Sequence, residues 1–374
     1  MRIVIINFEH HGGMKAFTEG IVEFMTKLRD VQISQILVVF TNERKIGISR
    51  SSNTTVISLP RKFKLLYYIF PKLLKKLFTQ LILENVDVEL YIVTWGSHFS
   101  DLLLQFRERL AIFVHDARPH DNKRILKMFN DFLLYKRNIK LAKSSAFIIT
   151  NSETQAIYLR EKLRKTVFFL PHPPFTYRSN LKEVTVGLEN YYLFFGRIEY
   201  YRGVDIFLKA IRILRDQYSL EPKVVIAGRG TFSRETRKLI NKYKLLNVHF
   251  IDRFIDDDEI PWLFEHCKCV VLPYRSVTQS GPLQLAYKFH KPVIVSALSY
   301  FLENFDFENR PGFLVDPGNL ENLVLNLLNF ERLSKEELEV FEKNAGMNYE
   351  KYYSEEKFLS ELNTLMQRIQ NLLN

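Results

Sequence analysis

The chain has 374 residues, 47% hydrophobic and 25% charged, which is the profile of a folded globular protein long enough for two domains. Its two cysteines, Cys267 and Cys269, stand one residue apart in a strand-like run, which excludes a disulfide framework or an ordinary zinc site and points to a reducing compartment. The formal net charge of +11 is uneven: residues 1–185 carry 29 Lys and Arg against 16 Asp and Glu, and the remainder carries 24 against 26, so only the first half favours an anionic neighbourhood. The N-terminus runs straight into a strand and has no signal-peptide cleavage region. No stretch reaches 18 apolar residues, so the sequence predicts neither a leader nor a membrane span.

In chain order, an apolar strand over 2–7 leads to Gly12 and Gly13 and then a helix over 14–28. Strand, glycine turn and helix open a nucleotide-binding type of α/β unit, and the two glycines would let a phosphate or sugar approach the backbone. A plain tight turn would carry the same residues. Strands are expected over 33–40 and 55–58. Residues 61–84 then interleave Arg61, Lys62, Lys64, Lys72, Lys75 and Lys76 with Leu, Ile, Phe and Tyr, with Glu84 the one acid. As a helix broken near Pro71, this is a basic amphipathic surface suited to an anionic membrane; a core-packed helix with snorkelling lysines is the alternative. Strands over 88–93 and 111–114 end at Trp95-Gly96-Ser97-His98 and at His115-Asp116, the edge where open α/β sheets place ligands. A surface-loop histidine is the plainer reading of either one. A basic helix over 122–143, a strand over 146–150 and a strand over 167–170 follow. The proline run 171–174 and the polar stretch to about 188 read as a linker.

The second half opens with a strand over 191–195, Gly196-Arg197, Arg202-Gly203 and a helix over 204–218. A strand over 223–226 then meets Gly228, Arg229 and Gly230. A strand over 248–251 precedes Arg253 and Phe254. The acids Asp256 to Glu259 are read as helix N-terminal charges and not as a metal site. Residues 270–297 organise this half. A buried strand over 270–272 ends at Pro273, and a polar loop carries Thr278 and Gln279. A helix then starts at Ser280-Gly281-Pro282, with Leu283, Ala286, Tyr287 and His290 on one face, and Pro292 ends it. The free N–H groups of residues 280–283 would make an anion site, with Gly281 allowing close approach. An ordinary βαβ loop without ligand fits the same letters. The tail from Ser334 is mostly helical.

These motifs together resemble the GT-B-fold retaining glycosyltransferases of glycosyltransferase family 4, also called glycosyl transferases group 1. The carriers are Gly196-Arg197, Arg202-Gly203-Val204-Asp205, Ala227-Gly228-Arg229-Gly230, Val271-Leu272-Pro273 through Pro292-Val293-Ile294, and Val315-Asp316-Pro317-Gly318. The first half matches more loosely, through Gly12-Gly13, His115-Asp116 and Ser152-Glu153. The resemblance implies two Rossmann-like α/β/α domains facing across a cleft. Residues 1–180 would bind acceptor, 181–345 would bind a nucleotide-sugar donor, and 346–374 would return as a helix to the first domain. It implies catalytic roles for His115, Arg197 and Arg202, with His115 near the transferring sugar. The diphosphate would lie at Arg197, Arg202 and the Ser280 helix start, and the base near Arg253, Phe254 and residues 228–230.

The sequence departs from the family at its two glutamates, whose positions fall on Val277 and Leu285; Thr278, Gln279, Ser280 and Gly281 would take over sugar contacts. No Asp-x-Asp pair stands where a metal-dependent transferase needs one, so the expectation is a metal-independent hexosyltransferase-type enzyme with no cofactor. It would transfer with retention to a saccharide or lipid-linked saccharide, in cell-surface polysaccharide or glycolipid synthesis. It would work as a cytoplasmic protein peripheral to the inner face of the cell membrane. A non-catalytic nucleotide-sugar-binding subunit is the alternative. The basic residues form no nucleic-acid recognition module, so nucleic acid is excluded as a partner.

Overall fold

The computed structural model describes residues 1–8, 12–29, 31–41, 47–50, 54–60, 88–95, 100–117, 125–176, 182–184 and 188–374. The expected membrane or acceptor residues Arg61, Lys62, Lys64, Lys72, Lys75 and Lys76 lie outside them, as does His98. The chain forms two compact units. The first holds the described part of residues 1–117, Leu126–Pro173 and Phe358–Asn374; the second holds Pro174–Lys357.

In the first unit the strands are β1 (Arg2–Asn7), β2 (Gln32–Thr41), β3 (Gly47–Arg50), β4 (Thr54–Pro60), β5 (Leu90–Trp95), β6 (Leu110–Phe113), β7 (Phe147–Thr150) and β8 (Val167–Phe169). They lie in the order β3-β4-β2-β1-β5-β6-β7-β8. Every pair is parallel except β3 with β4. The apolar runs are continuous because both faces are covered, and the two-residue period of a strand divides them. Ile3, Ile5, Leu90, Ile92, Ala111 and Phe113 face a core shared with Phe17, Ile21 and Phe24 of the helix Gly12–Thr26. Val4, Ile6, Tyr91, Val93, Leu110 and Ile112 face a second core closed by Ile139 and Ala142 of helix Ile125–Ser144 and by Ala156 and Leu159 of helix Glu153–Leu163. Phe358, Leu362, Leu365, Met366 and Ile369, from the helix Glu355–Leu373, complete the first of these cores. Gly12 and Gly13, expected in a turn ahead of the helix, form its first turn. First-turn N–H groups need no intrahelical partner, and polar company there is optional, so glycine is tolerated.

The second unit has β9 (Tyr191–Phe195), β10 (Val224–Ala227), β11 (Val248–Ile251), β12 (Cys267–Leu272), β13 (Val293–Ser296) and β14 (Gly312–Val315). All pairs are parallel, in the order β11-β10-β9-β12-β13-β14. This is the doubly wound order, and its direction reverses between β9 and β12. The connections from β9 and β12 leave the carboxyl edge in opposite directions and open a crevice between them. The same reversal falls between β1 and β5 in the first unit. Both units are therefore parallel-sheet Rossmann-like α/β domains. The helix expected to reach Pro292 ends at Lys288; His290, placed on its buried face by periodicity, is exposed with φ 53°. Burial raises the Cys267 thiol to about 12 and the Cys269 thiol well above its ordinary value, so both remain unreactive thiols in the sheet.

Candidate functional site

At the second unit's reversal point, β9 ends at Gly196 with φ 106°. The chain continues through Arg197, which is exposed, to a 3₁₀ turn Tyr200–Arg202 and the helix Val204–Tyr218. Arg202 folds back against Gly196, where a Cβ would lie 2.5 Å from its Nη1 and 3.5 Å from Pro282. Its guanidinium carbon sits 5.2 Å from the centre of the Tyr274 ring and 5.9 Å from that of Tyr201. Burial alone works against the charge. The Tyr274 and Tyr201 hydroxyls and the Glu199 carboxylate outweigh it, and the group lies above the ordinary arginine value. Arg202 is thus a fixed cation. Its Nη1 is buried and has no hydrogen-bond partner.

The loops beside it are laid backbone on backbone. At Gly228, φ 141°, a Cβ would come within 1.9 Å of the Gly196 carbonyl oxygen, and at Gly230 within 2.2 Å of that of Ile198. These glycines, expected to face a donor, serve first to let the loop after β10 lie on the loop after β9. Arg229 between them is exposed.

The helix Gly281–Lys288 begins on the other side of the crevice. Its N-cap, Ser280, accepts from the Leu283 N–H at 3.3 Å. Tyr274 meets the Ser280 side chain and Tyr300 meets its backbone. Because Pro282 has no N–H and that of Leu283 is taken by Ser280, the anion site expected over 280–283 narrows: the backbone donor role falls on Gly281. The ring of Phe175 lies 3.1 Å from the place of a Gly281 Cβ. Lys288 donates to the Phe175 carbonyl oxygen, which holds this segment along the helix. Thr278 and Gln279 are half-buried in the same loop. The two family-glutamate positions are filled by Val277, packed on the core, and Leu285, buried in it.

Arg253, expected near a base, is held by a neighbouring carboxylate. It makes a two-pronged pair with Glu259, at 2.6 and 2.7 Å, and Glu259 also accepts from the Asp256 N–H at 3.0 Å. Hydrogen bonds from Arg253 hold the Glu259 carboxyl below its usual range. Glu259 precedes the helix Ile260–Glu265 but makes no side-chain cap; its charge serves Arg253 instead of the helix end. Phe254 stays 61% exposed and is the residue of this pair open to a ring above it.

In the first unit, His115 follows β6 and is buried. Its Nε2–H donates to the Thr94 carbonyl oxygen at 2.7 Å. The Phe17 ring stands edge-on to His115 at 4.7 Å and to His172 at 5.2 Å. His172 Nδ1–H donates to the Pro173 carbonyl oxygen at 2.8 Å. Burial, helped by nearby His115, lowers His172 to about 4, so it is neutral near pH 7. Thr150 donates to the Val114 carbonyl at 2.9 Å and Gln155 accepts from the Ala117 N–H at 2.7 Å, which fixes the backbone on both sides of His115. Sequence reasoning placed His115 at this edge but missed His172, Tyr274, Tyr300 and Phe175. Of these, only His172 and Tyr274 carried a signal, a polar ring just past a strand. Among the described residues no group of three or more His, Cys, Asp and Glu side chains is arranged to hold a metal ion, and no helix is long and apolar enough to cross a membrane.

Residues 181–346 match the family of glycosyl transferases group 1. The chain is 29% identical over 142 residues to O-antigen chain mannosyltransferase C of Escherichia coli, covering 37% of this chain and 36% of that protein. It is 26% identical over 130 residues to the D-rhamnosyltransferase WbpZ of Pseudomonas aeruginosa, covering 34% and 32%. The matched part is thus about a third of the length of these curated relatives. Among solved structures, sucrose-phosphate synthase of Thermosynechococcus elongatus matches over 99% of both chains, with a TM-score of 0.74 and 15% identity. Anabaena HepE, solved with UDP and glucose, covers 98% of this chain and is itself covered completely, with a TM-score of 0.70 and 15% identity. At such identities the likeness establishes the fold: two Rossmann-like domains of the GT-B glycosyltransferase type.

Proposed function

We propose that this chain is a glycosyltransferase that moves a sugar from a nucleotide-diphosphate sugar to a saccharide acceptor. The observation that carries the reading is the half-buried Arg202 cation, whose Nη1 is itself buried and unpartnered at the β9–β12 crevice. A buried donor left unmade costs about 1–3 kcal/mol, a cost that a ligand oxygen would remove. A diphosphate oxygen is a strong acceptor of the right charge. In transfer the bond from the anomeric carbon to the diphosphate oxygen breaks and one to the acceptor oxygen forms. The acceptor's proton goes to the departing diphosphate. Arg202, with Arg197 and the Gly281 amide, meets the negative charge that develops there. Phe254 and Arg229 flank the base, and Thr278 and Gln279 contact the sugar. On this reading 181–345 binds donor and 1–180 binds acceptor with His115 on the acceptor side; the return expected of 346–374 is made only by Phe358–Asn374, since 346–353 belong to the preceding helix of the second unit. Transfer proceeds with retention, without metal or cofactor.

The family match, the O-antigen chain mannosyltransferase and the D-rhamnosyltransferase support a polysaccharide or glycolipid product. The charge excess in residues 1–185 and the basic segment 61–84 support an acceptor held at an anionic membrane, with the enzyme on its cytoplasmic face. The first test is thermal shift against UDP-, GDP- and ADP-sugars, followed by assay of released nucleotide and NMR of the product's anomeric configuration. Stabilisation by one class is expected; none by any would overturn the reading, and an inverted product would overturn retention. Sedimentation with 0–50% anionic vesicles tests the membrane: binding should rise with anionic lipid and fall when Lys72, Lys75 and Lys76 are changed to Gln. A non-catalytic donor-binding subunit is the second reading, favoured by the apolar Val277 and Leu285. It predicts donor binding without turnover.

A further inference from the structure

Arg275 stands in the loop after β12, three residues past the strand, and reaches across the reversal point. Its Nη1 and Nη2 donate to the two Asp205 carboxylate oxygens, each at 2.8 Å. Nη1 also donates to the Tyr200 carbonyl oxygen at 2.7 Å, and the Arg275 backbone N–H donates to that of Tyr201 at 2.7 Å. The guanidinium lies 4.0 Å from the centre of the Tyr200 ring. The two carbonyls immediately before Arg202 are therefore both held by one residue from the opposite side of the crevice. A short way on, Gly203 fits beneath the Pro273 carbonyl, where a Cβ would come within 2.0 Å. Both partners of the ion pair are largely shielded, at 25% and 12% side-chain exposure, and the planar fork admits one geometry.

We infer that Arg275 and Asp205 form a positioning clamp that aims Arg202 into the crevice. The inference rests on the donor reading given above for what Arg202 meets, and on the geometry alone for what holds it. Arg275 touches the turn and not the ligand site: both of its guanidinium prongs are occupied. Asp205 neutralises it, so that the donor meets the charge of Arg202 against a balanced background. Lysine at 275 would keep the charge and lose the fork, and so would keep the net electrostatics while releasing the turn.

The test uses the full chain with Arg275→Lys, Asp205→Asn and the charge exchange Asp205→Arg with Arg275→Asp. Binding of UDP, GDP and ADP and of the parent nucleosides is measured by calorimetry, with melting temperatures alongside. Loss of aim is expected to weaken the best-bound diphosphate about tenfold or more in Arg275→Lys, in line with a charged hydrogen bond. The corresponding nucleoside, which lacks phosphate, should be unaffected. A purely structural role would weaken both alike, or neither, and would overturn the clamp. The exchange variant, which restores the pair but not the contacts to the Tyr200 and Tyr201 carbonyls in their present form, should remain weak. A crystal structure of Arg275→Lys decides the matter even if no nucleotide binds the wild type, an outcome that would sink the donor reading by itself. The clamp requires the Arg202 guanidinium to leave Gly196; finding it unmoved would refute the clamp.

Discussion

The reversal edges of the two sheets are built on opposite principles. In the second unit the crevice holds a permanent cation, Arg202, among loops packed backbone on backbone. In the first unit the same edge holds neutral imidazole, His172, and buried His115, seated on the Phe17 ring and bonded to backbone carbonyls. One edge carries a fixed cation at Arg202. The other carries, at His172, a ring that burial keeps neutral near pH 7. The same kind of reversal thus carries two electrostatic characters, set by side chains beyond the strand ends.

The comparison can be broken most sharply at Gly228. Its φ of 141° and the Gly196 carbonyl beside it leave no room for a Cβ. Gly228→Ala should lose about 3 kcal/mol or more of stability, or fail to fold, as measured by urea unfolding. A neutral result would mean that the loops are not close-packed. Next is the neutrality of His172, which titrates at about 4 in the fold and near 6.5 when unfolded. Between those values the unfolded chain binds more protons. Stability should therefore fall as pH drops through 6.5, with the loss complete near 4, and total about 3 kcal/mol. His172→Gln should remove that share of the acid sensitivity, seen as a shrinking difference from wild type in unfolding free energy at low pH. If the two curves stay parallel from pH 7.5 to 4.5, the first edge is not built on a neutral imidazole.

Arg202→Met sharpens the contrast from the other side. Donor binding or turnover should fall by about 1.5–3 kcal/mol, or ten- to a hundredfold and more. Stability of the unliganded protein should hold or rise, because an unpartnered buried donor has been removed. Arg197→Ala should show the smallest effect, about 1.5 kcal/mol on donor binding with the melting temperature unchanged, since that side chain is exposed. Titration with the preferred nucleoside diphosphate checks both, and equal losses would erase the distinction between a half-buried cation with a buried Nη1 and an exposed one.

The fold was legible because each unit writes its sheet as short apolar runs ended by glycine, proline or a polar residue. Strands β1, β9 and β11 fall at their expected residues. The antiparallel β3 was missed, since Gly47–Arg50 is short and carries little apolar pattern. The site was legible only as an edge. Arg202, Ser280 and Gly281 were picked from local motifs, but the pairing of Arg202 with Gly196 depends on how two loops meet. The Arg275–Asp205 pair spans 70 positions in sequence, and no spacing rule reaches that far. The Arg253–Glu259 pair, six residues apart, was not read from the sequence, which took Glu259 only as a helix N-terminal charge. His290 failed because periodicity was carried past the true helix end at Lys288.

The helix Glu355–Leu373 has a bearing on how the protein is made. Its Phe358, Leu362, Met366 and Ile369 close the core that Phe17, Phe24 and Phe168 begin, with Phe24 meeting Phe358 at 5.0 Å. During synthesis some 180 residues separate the last strand of that sheet from the helix that covers it. The second unit can fold on the ribosome as soon as its own residues emerge. The first, though translated earlier, must wait with an apolar face uncovered until the chain has passed residue 369. Nascent protein is therefore most exposed to aggregation and chaperone capture in its older half, and a chain ended at Lys357 should keep every residue of the second unit while the first lacks its covering helix.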